Sequence, residues 1–380
     1  MRLLFVSHSA DLMGAELSLV SLVREAVHAG GHQVTVALPA DGPLRAELAG
    51  AGAAVVVLPT RLWMGRRYNV VVGLVRLLQA AASVPRYRRY LARTAPDLVV
   101  TNSAVVPAGA VAARIARIRH VWLVLESLLT NPSLRSALPR RVIARMIGYL
   151  SDGVVAVSDY VAGQFLSVAP AARRKLRVIP PHVELAPAAP GSGAAADTTH
   201  LERLVLLGRY TAEKGQEDAV AALGICVRQG CKLTLKLAAV GDAAAQHALG
   251  ELANAHGVGE LVDVSGWTDD PHALYSWAGA TLMLSRNEAF GRVTVESLMS
   301  GTPVIGYRAG GTSEILAAGG GLLVEPGAEA LAKAILELAA NDESYGRLKA
   351  DAMRRGQQLR SAPPAASTLV AYLEDRQANR

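Results

Sequence analysis

The sequence predicts an α/β protein of two domains, each built on a parallel sheet. Three observations carry that expectation. A chain of 380 residues exceeds what one ordinary core holds and suits two domains of roughly 150–200 residues each. Short apolar runs alternate with helix-period stretches along both halves, and strands separated by helices pair in parallel. Between the halves, residues 185–200 are rich in Pro, Gly and Ala without any period, and read as a linker.

Taken in order, residues 3–6 form the first apolar run. No small-residue cleavage site follows it, so it reads as a strand and not as a signal peptide. Residues 33–38, 54–58, 98–101, 120–125 and 154–157 complete the strands of the first domain, residues 1–184. Residues 70–84 are the longest apolar span, but Arg76 interrupts it and it is too short to cross about 30 Å of hydrocarbon. Beyond the linker, residues 203–207, 232–240, 262–264, 281–284, 304–307 and 321–324 are the strands of the second domain, residues 201–362. Pro363-Pro364 then precede a last helix near 365–377, within a C-terminal segment 363–380. No internal repeat is evident.

Composition narrows the class. With 51% hydrophobic and 19% charged residues the chain is globular, not disordered. Cys226 and Cys231 form no ligand set, which suits a reduced, cytoplasmic protein with ordinary thiols. Charge is uneven: residues 1–198 hold 22 Lys/Arg against 11 Asp/Glu, residues 199–380 hold 17 against 21. Arg61, Arg66, Arg67, Arg76, Arg86, Arg88, Arg89 and Arg93 fall between 61 and 93 with no acid among them, interleaved with Trp63, Tyr68, Tyr87 and Tyr90. Such a stretch suits an anionic surface, whether lipid head groups, acidic glycans or pyrophosphate-linked carriers, or it is simply a solvated face. No recognition motif for nucleic acid accompanies it.

The most informative segment is Ser285-Arg-Asn-Glu-Ala-Phe-Gly-Arg-Val-Thr-Val-Glu-Ser-Leu-Met-Ser-Gly-Thr-Pro-Val-Ile-Gly-Tyr307. It reads as a strand, a loop, a helix ending at Gly301 and a further strand. Open α/β sheets bind ligands at the carboxyl ends of their strands, and a helix N-terminus is a ready anion site. Glu288 stands in the loop. Glu296 lies too far along the helix to pair with its dipole, and is placed to accept hydrogen bonds from ligand hydroxyls.

This segment resembles the Glu–seven residues–Glu motif of the retaining glycosyltransferases of family four, which have the GT-B fold. Other blocks are similar and in the family's order: Met13-Gly14-Ala15-Glu16 with Gly31-His-Gln-Val34, Asp152 to Ser158, Arg177-Val-Ile-Pro180, Gly208-Arg209…Lys214-Gly215, Gly310-Gly311-Thr-Ser-Glu314 and Gly319 to Pro326. The resemblance covers nearly the whole chain. It implies two Rossmann-like domains with parallel sheets facing a central cleft, an acceptor-side first domain, a nucleotide-sugar-binding second domain, and a last helix packing back on the first. A dinucleotide dehydrogenase is disfavoured, because Ser7 to Gly14 lacks the Gly-x-Gly-x-x-Gly spacing.

A nucleotide-diphosphate sugar must lose its diphosphate while the ring becomes oxocarbenium-like, so donors must meet growing negative charge. No Asp-x-Asp occurs to hold a metal; Asp269-Asp270 are adjacent. No metal and no resident cofactor are therefore expected, the nucleotide sugar being a co-substrate. Arg209 after a strand and Lys214 at the opening of the next helix are the cations expected at the phosphates, with the amides of Arg292, Val293 and Thr294. The resemblance implies that Glu288 and the Phe290-Gly291 amides hold the donor sugar, that Glu296 takes the ribose hydroxyls, and that Gly14 lets the first loop approach the phosphates. It also implies front-face attack, with the departing phosphate accepting the acceptor's proton; no partner carboxylate for double displacement is evident. Trp267 is either a platform for the base or a packing residue.

Departures from the family concern the acceptor. Pro180-Pro181-His182-Val183-Glu184 replaces a Pro-Asn-Gly-Val-Asp hinge, and Trp122-Leu-Val-Leu-Glu126 replaces Trp-His-x-Arg-Glu. Glu126, on the acceptor side, is either a catalytic base or a structural group. Three readings remain: a transferase of cell-envelope or lipid-linked glycans, peripheral on the inner membrane face; one acting on a small soluble acceptor; and an inactive sugar- or nucleotide-binding protein of the same fold.

Overall fold

A computed structural model describes residues 1–65, 69–185, 200–268 and 270–378. Most of the expected linker (186–199), Arg66, Arg67 and Tyr68 of the basic stretch, and Asp269 lie outside the described residues. The chain divides into two compact units, Met1–His182 with Pro363–Arg380, and Val183–Ala362.

The first unit runs β1 (Arg2–Ser7), α1 (Gly14–His28), β2 (Gln33–Leu38), α2 (Leu44–Gly50), β3 (Ala54–Val57), α3 (Val70–Thr94), β4 (Leu98–Asn102), α4 (Ala108–Ala116), β5 (Arg119–Val124), α5 (Arg140–Leu150), β6 (Gly153–Ala156), α6 (Asp159–Val168) and β7 (Leu176–Val178). Its sheet is parallel, ordered β3-β2-β1-β4-β5-β6-β7. Alternate residues of β1 enter separate cores. Leu3 and Phe5 meet Leu19 and Val23 of α1, whereas Leu4 and Val6 meet Tyr87 and Leu91 of α3 and Ala112 of α4. A strand covered on both faces reads as a continuous apolar run, which is why these strands stood out in the sequence.

The second unit runs β8 (Arg203–Leu207), α7 (Gln216–Arg228), β9 (Thr234–Ala238), α8 (Ala243–Ala255), β10 (Val262–Val264), α9 (Pro271–Trp277), β11 (Ala280–Met283), α10 (Arg292–Met299), β12 (Val304–Tyr307), α11 (Gly310–Ala317), β13 (Gly321–Val324), α12 (Ala328–Ala339) and α13 (Asp342–Ser361). Its parallel sheet is ordered β10-β9-β8-β11-β12-β13. Leu204 and Leu206 pack with Leu223 and Leu331 on one face, while Val205 and Leu207 pack with Tyr275 on the other. The chain closes with α14 (Ala365–Ala378), which sets Val370, Tyr372 and Leu373 into the core of the first unit beside Leu19 and Val23.

Two sequence expectations shift. The strand expected over 232–240 is only β9, because Ala239 takes φ +59° and Gly241 φ +110°, and left-handed residues cannot continue the ladder. Lys214 does not open α7. It sits in the turn before it, its amide donating to the Thr211 carbonyl at 2.9 Å, and the helix begins at Gln216 after Gly215.

Candidate functional site

Both strand orders reverse direction once: between β1 and β4 in the first unit, and between β8 and β11 in the second. Loops leaving two strands on opposite sides of such a switch point diverge and leave a crevice at their carboxyl ends. In the second unit these are the β8–α7 loop, carrying Arg209 and Lys214, and the β11–α10 loop, carrying Glu288, Phe290 and Gly291.

The two loops are fastened together. The Arg286 amide donates to the Glu213 carbonyl at 3.0 Å. Gly215, at φ +76°, lies so close to the end of β11 that a Cβ there would fall 2.5 Å from Leu284 Cβ and 2.8 Å from its carbonyl oxygen. This approach brings the Lys214 ammonium to 2.7 Å from Glu288 Oε2. Burial by itself would raise the Glu288 pKa. Lys214, by charge and hydrogen bond, together with the Ser285 hydroxyl and the Gly291 amide, outweighs burial and holds the carboxyl below its usual range. Glu288 is thus an ionised carboxylate held in place by its neighbours.

The loop is braced from the other side by α11. The Gly311 amide donates to the Glu288 carbonyl at 2.9 Å. A Cβ on Gly310 (φ +59°) would sit 2.3 Å from that carbonyl oxygen, and one on Gly311 would sit 2.4 Å from the Phe290 carbonyl oxygen. The Gly-Gly pair is what lets the helix N-terminus rest on the loop. The Phe290 ring is half-buried and packs with Val293 against the cluster of Val295, Leu298 and Ile315.

Gly291, at φ +107°, caps α10 without any side-chain cap on the first turn, so the amides of Arg292, Val293 and Thr294 begin the helix. Glu296 stands one turn further. Its Oε1 accepts from Arg292 Nε at 2.7 Å, and its Oε2 from the Tyr275 hydroxyl at 2.8 Å. Tyr275 is wholly buried, and burial first, then the charge of Glu296, push its pKa well above the ordinary tyrosine value, so it remains a donor. Thr294 and Thr312 are fully buried with hydroxyl oxygens lacking a partner among the described residues.

Arg209 is exposed in the turn after β8. That turn is fixed by Gln216, a buried side chain whose Nε2 donates to the Gly208 and Arg209 carbonyls at 3.1 and 3.3 Å. Trp267 is 63% exposed in the segment after β10. Sequence reasoning missed Tyr275, Ser285 and Gln216: the partner of Tyr275 lies 21 positions away, while Gln216 and Ser285 bond within their own loops, Ser285 inside the segment singled out.

In the first unit, Gly14 is exposed at the first position of α1. Two residues on, Glu16 is buried, its carboxylate 3.4 Å from His8 Nε2, and burial raises its pKa more than His8 lowers it. Glu126 follows β5 and holds the loop after β4: its Oε1 accepts from the Ser103 hydroxyl, and its Oε2 from the amides of Ala104 (3.0 Å) and Leu125 (3.2 Å). Ser103 is a buried non-glycine at φ +115°, a conformation that persists only where the surroundings enforce it. Besides Glu126, the Trp122 indole donates to the Ser103 carbonyl and the Trp63 indole to the Ala104 carbonyl, both at 2.8 Å, and the two indoles are stacked at 6.1 Å. Among the described residues no group of three or more His, Cys, Asp or Glu side chains could hold a metal ion.

Two α/β units with parallel sheets of seven and six strands define a GT-B protein, and solved structures agree with that fold. The Anabaena HepE protein in complex with UDP superposes with a TM-score of 0.76 at 20% identity, covering 99% of this chain and 100% of that one. Sucrose-phosphate synthase from Thermosynechococcus elongatus gives a TM-score of 0.75 at 20% identity, covering all of both chains. Residues 13–186 match the family model described as Glycosyltransferase Family 4, and residues 198–355 the model described as Glycosyl transferases group 1. The first match falls mostly on the N-terminal unit and the second on the Val183–Ala362 unit. Among curated relatives, a GDP-mannose-dependent alpha-(1-6)-phosphatidylinositol dimannoside mannosyltransferase of Mycobacterium tuberculosis is 28% identical over 173 residues, 45% of this chain and 43% of that protein. A D-inositol 3-phosphate glycosyltransferase of Segniliparus rotundus is 30% identical over 172 residues, 42% and 38% of the two chains. The chain spans less than half the length of these two relatives.

Proposed function

We propose that this protein is a retaining, metal-independent glycosyltransferase that moves a sugar from a nucleotide-diphosphate sugar to an acceptor hydroxyl in the synthesis of cell-envelope polysaccharide or glycolipid. The observation that carries the reading is the pair of fixed carboxylates at the switch point of the second unit, Glu288 held by Lys214 and Glu296 held by Arg292 and Tyr275. A carboxylate locked in place accepts hydroxyl hydrogen bonds in a defined direction, as sugar recognition requires. Glu296 receives the ribose hydroxyls, and Glu288 those of the transferred sugar.

Arg209, Lys214 and the first-turn amides of α10 meet the diphosphate, whose charge grows as the glycosidic bond breaks. The departing phosphate oxygen takes the acceptor's proton in a front-face reaction. Glu126, already accepting from one hydroxyl and two amides, acts by holding the Ser103 loop on the acceptor side. The relative named for phosphatidylinositol dimannoside supports an envelope lipid as acceptor, and with it work at the cytoplasmic face of a membrane.

A thermal-shift screen of nucleotides tests this. UDP is bound in the Anabaena structure, and GDP-mannose is named for the mycobacterial relative. One of these nucleotides at a hundred times its Kd should stabilise the protein by about 2.7 kcal/mol, and Arg209→Ala should abolish the shift. No shift from any nucleoside diphosphate would refute the reading.

A further inference from the structure

The exposed face of α3 is apolar where an ordinary surface helix is polar. Val70, Val71, Leu74, Val75 and Leu78 are 43–73% exposed. At 100° per residue they lie together, opposite the buried face formed by Gly73, Ala80, Ser83, Tyr87 and Leu91. Along the second half of the helix the same outer side carries Arg86, Arg88, Arg89 and Arg93, all exposed. The helix is 25 residues long, about 37 Å, and so presents an apolar patch followed by a cationic one. Its start is well defined, since the Asn69 side chain accepts from the Val72 amide at 2.8 Å.

We infer that this face of α3 is a docking surface for an anionic lipid bilayer, with the Val70–Leu78 half inserted among the acyl chains and the arginine half lying on phosphate head groups. The inference rests on the envelope-acceptor reading and names the surface that would serve it. A solvated face has no use for five clustered aliphatic side chains. A second copy of this chain would bring the same acid-free arginines against themselves, because residues 61–93 contain no Asp or Glu. An interfacial helix unites both features, with an apolar face and a basic margin. Among the described residues no helix is long and apolar enough to cross a membrane, so contact of this kind is in the plane of the interface.

Co-sedimentation of the full chain with phosphatidylglycerol–phosphatidylcholine vesicles tests the surface, alongside binding to pure phosphatidylcholine. The native protein should bind the anionic vesicles and retain part of that binding at 1 M salt, where the Debye length is about 3 Å. V71S/L74S/L78S should lower the partition coefficient at least tenfold at both salt concentrations. R86S/R88S/R89S should lower it by roughly fivefold per arginine at 0.1 M salt and hardly at all at 1 M. Both variants should keep the native melting temperature and the native nucleotide-induced shift. Loss of that shift in the native protein would sink the transferase reading and leave vesicle binding to be judged separately. Equal vesicle binding by native and apolar-face variant would overturn the surface. So would a native dimer, detected by light scattering, that the serine substitutions dissociate.

Discussion

Replacing Lys214 with Met should reverse the direction in which the Glu288 pKa is displaced. In the native protein, burial pushes this carboxyl up, and Lys214 is the largest influence pulling it down. A unit charge pair at 2.7 Å is worth about 6 kcal/mol at an effective dielectric constant of 20, before desolvation offsets most of it. A third of Lys214 remains in water, so a net coupling of roughly 1.5–3 kcal/mol is the appropriate scale for a charge-assisted hydrogen bond. Because the native folded-state pKa is below the usual 4.5, the pair's stabilisation is fully present above that pH and lost as pH falls through it. With Met at 214, burial goes unopposed by the ammonium, the pKa rises above 4.5, and ionised Glu288 becomes destabilising as pH rises through the usual carboxylate range. Urea denaturation of the double-mutant cycle Lys214→Met, Glu288→Gln at pH 7 reads the coupling, and the acid limb of donor hydrolysis in Lys214→Met reads the pKa. A coupling under about 0.5 kcal/mol with an unmoved acid limb would refute the argument that the loop contact orders the carboxylate.

Tyr275→Phe removes one donor to Glu296 without opening a cavity, and should weaken nucleotide diphosphate binding by roughly tenfold with kcat little changed, measured by calorimetric titration and steady-state kinetics. His120 is wholly buried between the Thr101 and Ser151 hydroxyls, and burial lowers its pKa to about 3. A depressed histidine binds its proton more tightly in the unfolded chain, so stability should fall by about 1.4 kcal/mol per pH unit below 6.5. His120→Gln should flatten that slope by one proton in denaturation measured across pH 4–6. Chelator should leave transfer unchanged if Arg209, Lys214 and the α10 amides carry the phosphate charge; a strict divalent-ion requirement in a dialysed assay would count against that assignment.

The inner strands were legible because they are buried on both faces, as the two cores around β1 show; the edge strands β3 and β10 are only part-buried and were read from short apolar runs. Turn conformation was less legible: nothing in Ala239 announces φ +59°, and the apolar run through it overstated β9. The carboxylate pattern of the site could be read directly, since loop and helix follow one another in sequence. What fixes those carboxylates could not. Lys214 reaches Glu288 across 74 positions and Tyr275 reaches Glu296 across 21, contacts made by strand order rather than by local pattern. The apolar face of α3 escaped notice for another reason: its arginines dominate the composition of the stretch, and only burial separates the aliphatic residues facing the core from those facing outward.

The return of α14 to the first unit has a consequence for biosynthesis. Val370, Tyr372 and Leu373 belong to the same core as Phe5 and Leu19, so that core lacks part of its packing until these three residues leave the ribosome. At about 5–20 residues per second, the intervening unit Val183–Ala362 takes roughly 10–40 s to make. During that interval the second unit has every one of its own segments at hand before the first does. The N-terminal unit, though begun first, is the one finished last, and a nascent chain arrested before residue 363 should expose the patch on α1 that α14 covers.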